Sequence, residues 1–445
     1  MSNVWSTNAL ADWCISLEPG QLPDKVIAKA EDCFLDAIAC AISGRSAEGT
    51  RRASVVSSAQ YRDGPADVWF GSQQLHPTGA AFVNSTAVSI LDIDDGHRLP
   101  CGHPGAAVIP AALAIAQETS ASGLDVLAAV VAGYEVCTRI GGSEQRIAYH
   151  TGNWTGFGVA AVAARLKDMS AERLAQALAI TAYHGPRVAD LTLSNDMGAN
   201  VKETIPWSVV TGLNAADLAA QGFTGCCDAL DIEERFKPGR ARADLGKGFQ
   251  IMNTYFKRYS ACRWVHSAVE ALLQIMSEQK LEAAAIDSVR VETFRQAANL
   301  NNLTDPPSPE SAQYSIPYCL GLAATIGEKA LMPMNAADIH DQKTVAFAEK
   351  VTVTSDQSLI DHYPATVPAR VIVETQSGRF ETFVERPWGE PGGPIGRADL
   401  IAKFQALAAP HMQENRATAI IAAVENIKED GVAPLSKLIS APVEL

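Results

Sequence analysis

The chain has 445 residues, 47% apolar and 19% charged, with a formal charge of −14 at neutral pH. That length exceeds one ordinary hydrophobic core and predicts two domains. The acidic balance and the lack of a long Lys/Arg run exclude a typical nucleic-acid binder, which needs a basic face; an anionic small molecule must instead meet a local cationic pocket.

Residues 1 to about 265 read as helix after helix. Val26, Ala30, Phe34 and Ile38 form one stripe over 24–43, after a Pro-Asp start. Similar patterns cover 77–91, 105–119, 123–141, 153–167, 171–183 and 207–221, with Val68-Trp69-Phe70 as a short extended piece. Abundant alanine favours closely packed helices. Near residue 285 the period changes: Val289, Val291 and Thr293 alternate with polar residues, and so does 350–354. Residues 369–384 read as a hairpin around Gln-Ser-Gly, and helices are expected at about 309–328 and 341–349. The Pro/Gly run 386–397 is a linker, after which helical periodicity returns through 398–428. The expected fold is a large all-α domain, 1–265 completed by 396–445, plus a smaller α+β domain, 266–395.

Nine dispersed cysteines without a CxxC pair suit a reducing cytoplasm rather than a disulfide framework. No basic stretch followed by an apolar run opens the chain, and the most apolar segments are too short for a bilayer or contain charge. The reading is therefore cytoplasmic, with neither membrane nor nucleic acid as partner.

Five segments carry candidate chemistry. LDIDDGHRLPCGHPG (91–105) holds Asp92, Asp94, Asp95, His97 and His103; carboxylates beside imidazoles suit general acid/base work, and a capping loop is the bland alternative. Metal-ligand spacing is missing, so no metal is expected. YHTGNWTGFG (149–158) places His150 before a helix that Thr151 or Asn153 would cap; no strand precedes its glycines, which argues against a nucleotide loop and for close packing. Lys202 precedes a helix carrying Trp207. FKRYSACRWVH (256–266) gathers Lys257, Arg258, Cys262, Arg263 and His266 at the domain changeover, a cationic knot suited to carboxylates. SAQYSIPYCLG (311–321) puts Tyr314 and Tyr318 at helical i,i+4 spacing.

In this order the blocks LD-x-DD…HPG, HTG-x-x-TGFG, the lysine before WSxxxG, FK-x-Y-x-x-CR-x-x-H and S-x-PY resemble the MmgE/PrpD family. That family includes 2-methylcitrate dehydratase, cis-aconitate decarboxylase and iminodisuccinate epimerase. The resemblance spans nearly the whole chain and implies a homodimer without cofactor that acts on a small polycarboxylate in the cleft between the two domains. Carried over residue by residue, it implies catalytic roles for Asp92, His103, His150, Lys257 and Tyr318. Lys202, Cys262, Arg263, His97 and His266 are the expected substrate-binding positions. Cys262 stands where some decarboxylase members have histidine. Gly96-His97 replaces the Thr-aromatic pair usual in dehydratase- and decarboxylase-like members. These departures direct the expectation to the epimerase, which moves a proton α to a carboxylate of iminodisuccinate. A lyase of the same family and a non-catalytic binding protein are the alternatives.

Overall fold

A computed structural model of the protein describes residues 4–443 except 189, 195 and 238. Helix Asp24–Gly44 lies at the heart of the first core; Phe34, Leu35, Ile38 and Ile42 are all buried on it. Against it pack Pro77–Ser89, Gly105–Thr119 and Gly123–Ser143, and beyond these lie Gly152–Leu166, Ala171–His184 and Ile205–Ala220. Several of these helices are buried on nearly every face, which small residues permit by letting backbones approach. A Cβ on Gly158 would stand 2.6 Å from the Gly133 carbonyl oxygen, and one on Gly212 would stand 2.4 Å from that of Gly156. The glycines of TGFG are thus contacts between helices. Helix Ser6–Ser16, which lacks an obvious stripe, also joins this core.

The expected strand at Val68–Phe70 lies one step earlier. Ala66–Asp67 pairs with Gln74–Leu75, and Phe70 turns the chain with φ 57°. The periodicity of 398–428 is divided between Arg397–Ala408 and Glu414–Glu425, which Pro410 separates, and the start of a short helix, Ile427–Asp430. Leu400, Phe404, Leu407 and Ile420 share the core of Phe34. Lys403 adds an ammonium that donates to Asp36 and, at 2.7 Å, to the Ile93 carbonyl, tying this C-terminal helix to the Asp-rich loop.

The second core is α+β. Its four-stranded sheet runs in the order Val351–Ser355, Ile286–Thr293, Ala369–Thr375, Gly378–Val384. The first pair is parallel and the other two are antiparallel. Val289, Val291 and Thr293 point inward, as the alternation requires, and Ile286 is buried too because the register shifts between it and Ser288. Helices Arg263–Gln279 and Ile316–Thr325 join this core. Among the described residues no helix is long and apolar enough to cross a membrane.

The expected helix at 309–328 is interrupted. Pro309–Ala312 ends before Ser315, whose hydroxyl accepts from the Tyr318 amide at 3.1 Å and caps a new helix at Ile316. Tyr314 therefore precedes the cap, and the shared helix face expected for Tyr314 and Tyr318 does not form.

Candidate active site

The Asp-rich loop leaves helix Pro77–Ser89 and turns at Asp92, whose φ is 52°. Gly96 and His97 then pair antiparallel with Tyr255 and Thr254. A Cβ on Gly96 would lie 2.3 Å from the Tyr255 ring, so only glycine fits this crossing. The pairing fixes the loop against the segment that carries Lys257, two residues beyond Tyr255. Lys257 Nζ donates to Asp92 Oδ1 at 2.7 Å and lies 3.8 Å from Asp94 Oδ1.

His103 occupies the far end of the same loop. Its Nδ1 lies 2.7 Å from the Asp95 carbonyl oxygen, an acceptor only, so this nitrogen carries the proton. Nε2 faces the Tyr149 hydroxyl at 3.2 Å, which donates to it when the ring is neutral. Asp92 Oδ1 and Glu203 Oε1 flank Nε2 at 3.5 and 3.8 Å. The Thr151 hydroxyl donates to Glu203 Oε2 and accepts from the His103 amide at 3.3 Å. Lys202 Nζ donates to Gln313 Oε1 at 2.8 Å and Tyr314 Oη at 3.2 Å. The rings of Tyr149 and Tyr314 meet edge to face at 6.4 Å.

All these side chains are buried, so their charges act in a medium far less screening than water. Burial alone would raise the Asp92 carboxyl, but the ammoniums of Lys202 and Lys257, with His103 adding to them when its ring is protonated, bring it down to about 2. Burial alone would lower Lys257, but Asp92 and Asp94 outweigh it and its pKa is raised. Burial, reinforced by Asp92 and Glu203, pushes the Tyr149 and Tyr314 phenols well up, so both remain proton donors at neutral pH. Asp95 is pushed up to about 7 by burial and by Asp36; it accepts from Tyr134 Oη at 2.6 Å and the Gly105 amide at 3.0 Å. Asp92, His103 and Glu203 could each turn one ligand atom toward a shared metal ion, those atoms lying within 4.8 Å of one another. The Lys257 ammonium already neutralises Asp92 at that point.

Residues 8–240 match the MmgE/PrpD N-terminal domain and residues 259–429 match the MmgE/PrpD C-terminal domain. The chain belongs to the MmgE/PrpD family. Its similar relatives include cis-aconitate decarboxylases from Homo sapiens, 24% identical over 98% of this chain and 95% of the relative, and from Aspergillus terreus, 24% identical over 98% and 96%. The Mus musculus cis-aconitate decarboxylase is 23% identical over 98% and 93%.

Of the positions that the MmgE/PrpD resemblance singled out, Asp92, His103, Lys202 and Lys257 converge. Cys262 is buried close by, with its thiol pushed up first by burial and then by Asp92. The others have different partners. Tyr318 donates to the Asp338 carbonyl at 2.7 Å, and its charged neighbours are Asp305, Asp341 and Asp338. Arg263 is held by the carbonyls of Phe256, Pro387 and Trp388 and by Glu390, which also binds Arg98; its guanidinium is committed to the linker. His266 lies against Tyr259, with Nε2 3.2 Å from the Ala261 carbonyl. His150 turns away from His103 and places Nε2 3.2 Å from Glu144. Thr151 does not cap its helix, because its hydroxyl serves Glu203. Tyr314, named in its segment beside Tyr318, joins this cluster in place of Tyr318, and Tyr149, Thr151, Glu203 and Gln313 complete it without having been singled out for it.

His97 has a structural place as well. Its Nδ1 accepts from the Leu99 amide at 3.2 Å and its Nε2 lies 3.0 Å from the Gln250 carbonyl, which requires the neutral ring. Burial lowers its pKa to about 4, aided by Lys29 and Arg98 against the Gln250 bond. A base depressed on folding contributes stability above its unfolded value near 6.5, and that contribution is lost as pH falls toward 4. The expected loss is roughly 3 kcal/mol, because a tenfold change in proton affinity corresponds to about 1.4 kcal/mol. His97→Gln should lack this acid sensitivity. Urea unfolding of both proteins at pH 7 and pH 4.5 checks it, and parallel acid slopes would contradict it.

Proposed function

We propose that this chain is a cofactor-independent enzyme that moves a proton at a carbon α to a carboxylate of a small polycarboxylate, and that it epimerises an amino-linked substrate of the iminodisuccinate type. One observation carries the reading: a histidine anchored through Nδ1, with its Nε2 turned into a sealed cluster that also contains two lysine ammoniums. An α-proton is weakly acidic, and its removal builds charge on the carboxylate oxygens. His103 Nε2 takes the proton as the C–H bond breaks, and the electron pair moves into the carboxylate as an enediolate. Lys257 and Lys202 supply the positive charge those oxygens need. The bond then re-forms at the opposite face with a proton from a second donor, and Tyr149 and Tyr314 are protonated phenols suited to that role. Thr151 and Glu203 position the His103 backbone and border its Nε2.

The relatives named as cis-aconitate decarboxylases support a second reading, loss of CO2 followed by protonation of the carbanion left behind. Cys262, a buried neutral thiol where some decarboxylase members have histidine, weighs against it. Iminodisuccinate, 2-methylcitrate and cis-aconitate followed by NMR in deuterated water, before and after EDTA dialysis, separate the readings. Epimerisation puts deuterium on the α-carbon without CO2, and EDTA leaves it intact. Release of CO2 from cis-aconitate would favour the second reading. No exchange and no CO2 release with any of the three would reject both, and activity restored by a stoichiometric metal would reject cofactor independence.

A further inference from the structure

The catalytic cluster is closed to solvent, and the chain around it carries a charge of −14, so a polyanion needs both an opening and a local attraction. Residues 149–151 form a thin wall. Tyr149 and Thr151 turn inward to His103 and Glu203, while His150, between them, turns the opposite way to Glu144. Glu144, the partner of His150, lines a surface recess of about 330 Å3 together with Arg146, Asn153, Arg187, Glu234 and Arg235. Three guanidiniums there face two carboxylates, and Glu144 is already engaged by His150 and, at 3.6 Å, by Arg235. Arg146 is 70% exposed, with its nearest carboxylate, Asp190, at 3.8 Å. His150 Nδ1 is buried without a hydrogen-bond partner, so the wall contains a polar group left unsatisfied.

We infer that this recess is a carboxylate-binding port: Arg146 and Arg187 receive one carboxylate of the substrate, and the His150–Glu144 pair is the gate between port and cluster. The inference rests on the polycarboxylate reading above. It gives His150 a positioning role that does not require contact with the reacting carbon. A carboxylate drawn to Arg235 competes with Glu144 for that guanidinium and thereby changes the charge around the His150–Glu144 pair.

The test reverses both exposed charges, Arg146→Glu with Arg187→Glu, and compares the protein with Arg379→Glu, a half-exposed arginine on the outer strand of the sheet. The double reversal should lower kcat/KM for whichever polycarboxylate is turned over by roughly tenfold at low salt, the lower end of electrostatic steering, with most of the loss outside kcat. The deficit should shrink as added salt screens the recess. Arg379→Glu should behave as wild type. In parallel, citrate is titrated into protein with 15N-labelled histidines; the His150 ring signals should shift in wild type and stay fixed in the double reversal. Normal turnover and normal citrate shifts in the reversed protein would overturn the port while leaving the proposed function intact. Citrate shifts that need the two arginines, in a protein that turns over no polycarboxylate, would uphold the anion site and remove the proposed function. Citrate that leaves His150 unmoved in wild type would overturn the port.

Discussion

Lys257→Ala is expected to lower the rate at least roughly a hundredfold, the low end for a charge-stabilising group in a water-excluded site. It should also destabilise the fold by about 3–5 kcal/mol, because removing one partner of a buried ion pair strands the other. The stranded partner is Asp92, held at about 2 against its burial chiefly by the ammoniums of Lys202 and Lys257. Without Lys257 its pKa must rise, so the variant should regain stability as pH falls into the range where Asp92 protonates. The two effects can be separated. Lys257→Met combined with Asp92→Asn removes both charges and should recover much of the stability, since apolar or neutral replacements of buried pairs are often well tolerated. It should recover none of the rate, because the cation beside the developing carboxylate charge is still missing. Urea unfolding and initial rates on the two single variants and the double variant form a cycle. A double variant that regained activity with stability would show that Lys257 only maintains the fold.

Much of the fold is legible in the sequence because its patterns are long. Stripes such as that of Asp24–Gly44 and the alternation over Ile286–Thr293 repeat often enough to reveal a buried face. The site is legible only in part, because it is set by residues where the period breaks. Tyr314 and Tyr318 share a spacing that would place them on one helix face, yet Ser315 starts a new helix between them, sending Tyr314 to Lys202 and Tyr318 to Asp338. Lys202 and Thr204 adopt positive φ, 49° and 59°, so no helical period could show that Glu203 between them points inward. Arg263 has the right charge in the right segment, but Glu390, 127 residues further along the chain, binds its guanidinium. Tyr149 reads as one aromatic before a helix start; its role emerges only when the loop brings His103 within 3.2 Å.

His103→Asn is expected to abolish proton transfer while sparing the fold. The asparagine amide occupies nearly the position of Nδ1–H, so it can keep the bond to the Asp95 carbonyl that the native ring makes at 2.7 Å. It has no counterpart to Nε2, the atom that accepts from Tyr149 and lies between Asp92 and Glu203. The rate should therefore fall at least roughly a hundredfold, the lower bound for loss of a general base, with a smaller change in substrate affinity. His103→Ala should lose as much rate and additional stability, since the Asp95 carbonyl and Tyr149 hydroxyl are then left buried without their partner. Solvent exchange sharpens the result. If His103 serves one face of the carbon, each variant stops deuterium uptake from one stereoisomer of the substrate. Slow uptake from the other isomer would show that the second donor still works. If His103→Asn folds normally, binds substrate and exchanges both isomers at the wild-type rate, the base lies elsewhere, and His103 reduces to a hydrogen-bonded histidine that joins the loop to Tyr149.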